Sequence, residues 1–338
     1  MRAASPSAAL SPGRAALAAT IVLALLVLAS LAWGAGSVSP REAMRVLAGL
    51  SQDPDAQFVV SQLRWPRTLL GLVVGACLGA SGAVLQAATR NPLAEPGLLG
   101  VSAGASFAVV LAIGLGAGAA TLNLGVAILG AMAGCFLVLL VTQMRNVGDD
   151  PVRLVLAGAA FSGILMSLST LILLYDQRTA DEIRFWIIGA LGGRPAEALS
   201  WSIAGAVAGL LVLLPVLRPL AALALGEHLA TGLGHRPRAT RIWALVVVAI
   251  LVGTATAAAG PIAFVGLVVP FVARRLVGTD IRRALALSLL AGPALVLFTD
   301  IVSRLVVRPY ELPIGVVTAF VGAPCLVAIV RSQRLPVL

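Results

Sequence analysis

The chain has 338 residues, 59% of them apolar and 11% charged, with a mean hydropathy of +1.02. A soluble domain carries roughly 25% charged residues, so this chain cannot coat a water-facing surface, and its solvent must be largely lipid. The net charge of +10 comes from 24 basic residues, all arginine, set singly or in pairs between apolar stretches. That is the look of membrane-protein loops and not of a nucleic-acid-binding stripe. The lack of lysine excludes a Walker-type phosphate loop and a Schiff-base lysine. If ATP drives this protein, another subunit hydrolyses it.

Apolar stretches near the ~20 residues that cross a bilayer predict ten spans: 15–35, 66–87, 97–118, 123–144, 152–175, 199–220, 241–259, 262–277, 284–304 and 313–331. No gap between them holds a soluble domain, so residues 1–338 read as one all-α, polytopic membrane bundle. The first stretch is long for a cleaved leader and reads as an uncleaved span. With both termini inside, fifteen of the 24 arginines fall in inner segments, the usual positive-inside bias. Trp33, Trp65, Tyr175, Trp186, Trp201, Trp243 and Tyr310 sit near span borders, where aromatic belts form.

Taken in order, the first segment with a possible role is Arg64-Trp65-Pro66-Arg67-Thr68, at the outer mouth of the second span. Its arginines suit either interfacial anchoring or a cationic docking point for an acidic partner. Within that span, Gly71, Gly75 and Gly79 form a small-residue stripe that lets helix backbones approach closely. From Arg90 to Ala105, two prolines and three glycines break the chain at the inner end. Irregular backbone at membrane depth survives only against protein or a watery cavity; an ordinary tight turn is the plainer alternative.

Leu225, Leu229 and Leu233 recur at i, i+4 and i+8, so a short helix on this inner loop would show an apolar ridge flanked by glycine. That ridge packs either on its own chain or on a soluble subunit. Ala259–Pro270, ending inside at Arg274-Arg275, and Glu311–Gly315, followed by Gly322-Ala323-Pro324, complete the set. Cys77, Cys135 and Cys325 read as small membrane-buried residues. His228 and His235 share one loop and lack the ligand density of a metal site. No catalytic group, metal site or cofactor is expected.

In this order and spacing, RWPRTL, RNPLAEPGLLGVSAGA, LALGE, GPIAFVGLVVP and ELPIGVVTAFVGAP resemble the FecCD-type permeases of ABC importers, from about Leu63 to Pro324. The resemblance implies ten spans with inside termini in the cytoplasmic (inner) membrane, and uptake of an iron–siderophore complex, or alternatively haem or cobalamin. It also implies the partners: two ABC ATPase subunits, a second permease chain (identical or homologous) and a periplasmic or lipoprotein binding protein.

Residue by residue, Arg64, Arg67 and Arg304 match outer-face arginines that pair with acidic residues of the binding protein. Leu225, Gly226, Glu227, Leu229, Leu233 and Gly234 match the coupling helices that sit in a groove of the ATPase. Arg145, Asp149 and Asp150 match the inner gate beside the fifth span. Phe185, Trp186 and Gly189 match a short re-entrant helix near the mouth of the pathway, which the fifth and tenth spans would line at a dimer interface. Relatives commonly carry histidine after VVP; this chain has Phe271. The rival from another class is a transporter driven by an ion gradient. Such proteins place ionisable groups near the bilayer midplane. Asp300 comes closest, and Arg304, one helical turn on, can pair with it.

Overall fold

The computed structural model describes residues 11–117, 124–143, 151–183 and 186–331. It is helical, with no strand among the described residues. In chain order the helices are α1 (Pro12–Ala32), α2 (Pro40–Leu47), α3 (Pro54–Phe58), α4 (Trp65–Thr89), α5 (Val101–Gly114), α6 (Leu124–Gln143) and α7 (Pro151–Tyr175). They continue with α8 (Gln177–Ile183), α9 (Ala196–Ala224), α10 (Glu227–Gly232), α11 (Pro237–Ala259), α12 (Val265–Val277), α13 (Ile281–Leu305) and α14 (Ile314–Arg331). Each of the ten predicted spans coincides with one of these helices.

Among the described residues, six helical runs are long and apolar enough to cross a membrane: Pro12–Ala32, Pro54–Thr89, Leu156–Tyr175, Glu197–Ala224, Pro237–Ala259 and Ile281–Leu305. The second is longer than its predicted span because α3 and a π-helical turn, Val59–Arg64, lead without interruption into α4. Proline at the first turn of α1, α2, α3 and α11 fits a position whose N–H has no helical acceptor anyway. The short helices α2 and α3 were not anticipated from the sequence. Ser39 accepts from the Glu42 N–H at 3.2 Å, and Asp53 accepts from the Asp55 and Ala56 N–H groups at 3.0 and 3.3 Å, so each is started by its own side-chain cap.

The core is built on α4 and α11. Val74, Ala80, Ala83 and Val84 on the first, and Ala244, Val247, Val248 and Leu251 on the second, are fully enclosed. Helix α13 packs on α4, α9 and α6 pack on α11, α5 packs on α6, and α1 packs on α13. The expected glycine stripe of α4 meets α13: a Cβ on Gly75 would lie 2.5 Å from Pro293 Cα, and one on Gly71 would lie 2.9 Å from Leu297 Cδ2. Where lipid removes the hydrophobic drive between helices, such backbone contact is what holds them together.

The segment from Arg90 to Gly100 does not end in a simple turn. Arg90 takes a left-handed conformation (φ 50°) and Pro96–Leu99 forms one 3-10 turn. Pro96 packs under Gly266, so the segment folds back beside the start of α12. Gln86 donates to the carbonyls of Ala94, Gly266 and Leu267 (3.3, 3.3 and 3.2 Å). Phe264, at φ 69°, begins α12, and its N–H donates to Glu95 Oε1 at 2.6 Å. An acidic oxygen at a helix start satisfies an orphan donor and complements the helix dipole. Replacing Glu95 by Ala orphans that donor and should lower stability by about 1–3 kcal/mol. Glu95→Gln, which keeps an acceptor, should cost less; thermal unfolding in detergent separates the two.

Candidate functional site

Two places carry the predicted residues, at opposite ends of the bundle. At one end, two of the three arginines grouped in the sequence reading, Arg64 and Arg304, converge on α1. Arg64 Nη1 donates to Leu31 O and Ala32 O (3.0 and 2.7 Å), and its Nη2 donates to Val38 O (3.2 Å). Arg304 Nη1 donates to Ser30 O and Trp33 O (3.0 and 3.2 Å), and its Nη2 to Ser30 Oγ (2.7 Å). Two guanidinium groups therefore cap the last carbonyls of α1, where cations are favoured. Arg64 and Arg304 are only 4% and 2% exposed. The resemblance implies an outer-face docking role for both; in the structure their donors turn inward onto the backbone and Ser30 at the end of α1.

Arg67 differs. Its Nε and Nη2 donate to Asp300 Oδ1 (3.1 and 2.8 Å), and its Nη1 to Glu311 Oε2 (2.7 Å). Asp300, fully buried, also pairs through Oδ2 with Arg304 Nη2 at 2.6 Å. The i, i+4 pair foreseen from the sequence is present, and Arg67 from another helix joins it. Around this network opens a cleft of about 640 Å³ whose lining includes Arg64, Arg67, Arg194, Arg304 and Glu311. Arg194, in the loop before α9, donates its Nε and Nη2 to Ala190 O (3.0 and 2.9 Å). Burial pushes its guanidinium down to about 10, which leaves it cationic at neutral pH.

Close by, Trp186 and Gly189 lie in a turn that follows α8. Trp186 Nε1 donates to Ala257 O at 3.3 Å, and Ala190 N donates to Ala259 O at 2.8 Å. Backbone contact with Gly260 and Gly315 seats this turn between the end of α11 and the start of α14. Phe185, Arg145, Asp149 and Asp150 lie outside the described residues.

At the other end, Leu225, Gly226, Glu227, Leu229, Leu233 and Gly234 belong to α10 and its flanks. Gly226 (φ 122°) and Gly234 (φ 79°) bracket the helix in conformations that suit glycine. Ala230 points inward, while Leu225, Leu229 and Leu233 are exposed (68%, 58% and 64%). Only Leu229 lies within α10; Leu225 caps the end of α9 and Leu233 the end of α10, so the single ridged helix read from the sequence is broken at Gly226. The three leucines form an exposed apolar cluster that no described element covers. Glu227 is ion-paired to Arg241 on α11.

Among the described residues no group of three or more His, Cys, Asp or Glu could hold a metal ion. Phe271 is buried, with the Arg275 guanidinium 5.7 Å from its ring centroid, so the position that departs from histidine is filled by apolar packing and a cation–π contact.

A multi-pass helical bundle with an ion-paired cleft at one end and an apolar loop helix at the other is the architecture of a membrane permease. The FecCD transport family model matches residues 22–332, and the chain belongs to that family. It is 43% identical over 327 residues to the ferric enterobactin transport system permease protein FepD of Escherichia coli (strain K12), covering 94% of this chain and 96% of that one. It is 39% identical over 325 residues to the vitamin B12 import system permease protein BtuC of Escherichia coli O9:H4 (strain HS), covering 94% and 95%. Among solved structures, a chain of a metal-chelate type ABC transporter in an inward-facing conformation matches with TM-score 0.81 and 30% identity, over 95% of this chain and 99% of that one. The chain is thus a membrane-spanning transport subunit of the ABC-importer type, without an ATPase site of its own.

Proposed function

We propose that this permease carries an iron–siderophore complex across the cytoplasmic membrane, driven by ATP hydrolysed in two separate subunits. The observation that carries the reading is the exposed leucine cluster of α10 and its flanks, Leu225, Leu229 and Leu233, which needs an apolar partner and sits at the end of the bundle opposite the ion-paired cleft. The ATPase would take that cluster in a groove. A binding protein would dock over the cleft at the other end, with an acidic side chain entering toward Arg67 and Arg194. The iron-chelate substrate is supported by the ferric enterobactin permease FepD and by the iron(3+)-hydroxamate permease FhuB of Bacillus subtilis (strain 168), 35% identical over 326 residues.

A second permease chain would cover the apolar faces of α7 and α14, where Leu168, Leu171, Phe320 and Val327 are exposed. The ligand would then pass between the two chains, bound weakly, with specificity supplied by the binding protein. Both termini inside is the orientation that goes with this arrangement.

Leu225→Asp with Leu229→Asp is the test. A charged pair in the cluster should release the ATPase on co-purification and abolish ATP-driven uptake while the permease still inserts. An ATPase that stays bound to this variant overturns the assignment of the 225–234 segment.

A further inference from the structure

The geometry of α10 raises a mechanical question that the leucine cluster alone does not answer. The helix is six residues long, lacks a side-chain cap at its start, and is bounded by Gly226 and Gly234, both at positive φ. A short rod between two glycine joints can turn in place when pushed, so a displacement applied to its outer face need not pass into the bundle. What resists such turning is the seating of Ala230 against the neighbouring helices and the ion pair from Glu227 to Arg241. Glu227 is the first residue of α10, and Arg241 stands in the second turn of α11. Helix α11 then runs through the core to Gly260, where it meets the turn of Trp186 and Gly189 beside the cleft.

We infer that Glu227 and Arg241 form a positioning pair that makes α10 and α11 move as one body, so that force on the leucine cluster reaches the far end of the bundle. This rests on the coupling role proposed above. The two side chains are 39% and 20% exposed, and ion pairs this open add little to folding. Their value lies in where they stand, at the joint between a swivelling surface helix and a buried one that crosses the core. A contribution to the local charge at the start of α10 would be the competing, purely structural role.

The experiment uses the full complex of permease, ATPase and binding protein in liposomes, reading ferric siderophore moved per ATP hydrolysed. Arg241→Ala and Glu227→Gln should each lower that ratio by about 5- to 10-fold, near the low end of coupling between distant sites. The ATPase should still co-purify with Arg241→Ala. In a Glu227→Cys, Arg241→Cys variant, a short bifunctional thiol reagent should restore the ratio, because a covalent tie replaces the ionic one. An unchanged ratio in either single variant overturns the pair. So does failure of the bridge to form, or a formed bridge that restores nothing. Loss of the ATPase from Arg241→Ala would also overturn it, by moving the role to direct binding. These results differ from failure of the coupling reading itself, in which the leucine-to-aspartate variant keeps its ATPase.

Discussion

Asp300→Ala should be among the most damaging single substitutions in the chain. The carboxylate is fully enclosed and holds Arg67 from α4 and Arg304 from its own helix. Removing one partner of a buried ionic set leaves the others uncompensated, at a cost of about 3–5 kcal/mol. Here two guanidinium groups would face each other without the anion between them, and Arg304 also caps α1. The expected result is a large fall in thermal stability in detergent, with α1 made protease-sensitive near Trp33. Glu311→Gln provides the contrast. Its carboxylate is 38% exposed, so the loss should stay within about 1 kcal/mol. Equal losses in the two variants would contradict the account of a buried hub with a solvated arm.

Gly75→Leu should be the second severe change. A Cβ at Gly75 already falls 2.5 Å from the N and Cα of Pro293 and 2.7 Å from Gly292 C. Backbone atoms cannot rotate away as a side-chain tip can, so α4 and α13 would have to separate along their contact. Overpacked cores usually cost about 1–3 kcal/mol; backbone against backbone should exceed that, and the protein should fail to accumulate in membranes. Gly75→Ala should already lower the unfolding temperature measurably, whereas a Gly36→Ala control, with open space around it, should not.

The ten helices were legible in the sequence because a bilayer demands apolar composition of every segment at its depth, although α5 and α12, with 14 and 13 residues, are shorter than the crossing length the reading assumed. The Gly71–Gly75–Gly79 stripe was legible for a related reason: close approach of backbones admits almost no other residue. The Asp300–Arg304 pair could be read from its i, i+4 spacing. Its third member could not, since Arg67 lies 233 positions away. The same blindness explains Arg64 and Arg304. Both donate to backbone carbonyls at the end of α1, and a carbonyl leaves no mark in the sequence, so this part of their surroundings could not be read from it. The fold-back of Glu95 onto Phe264 was hidden likewise, because a main-chain N–H is its partner.

Helix α12 has a further consequence. Its 13 residues rise about 20 Å, roughly two-thirds of the ~30 Å hydrocarbon layer. The remaining depth on that side is crossed by non-helical chain around Gly260–Phe264, in which the Gly260 N–H bonds Thr256 O and the Phe264 N–H bonds Glu95 Oε1, both within the protein. Such a stretch could not touch acyl chains without stranding those groups. Mutational tolerance should therefore run in rings. The exposed side of α1, at Leu17, Ile21 and Leu25, should accept nearly any aliphatic replacement, while strictness rises toward the axis, steepest where the peptide itself is the wall.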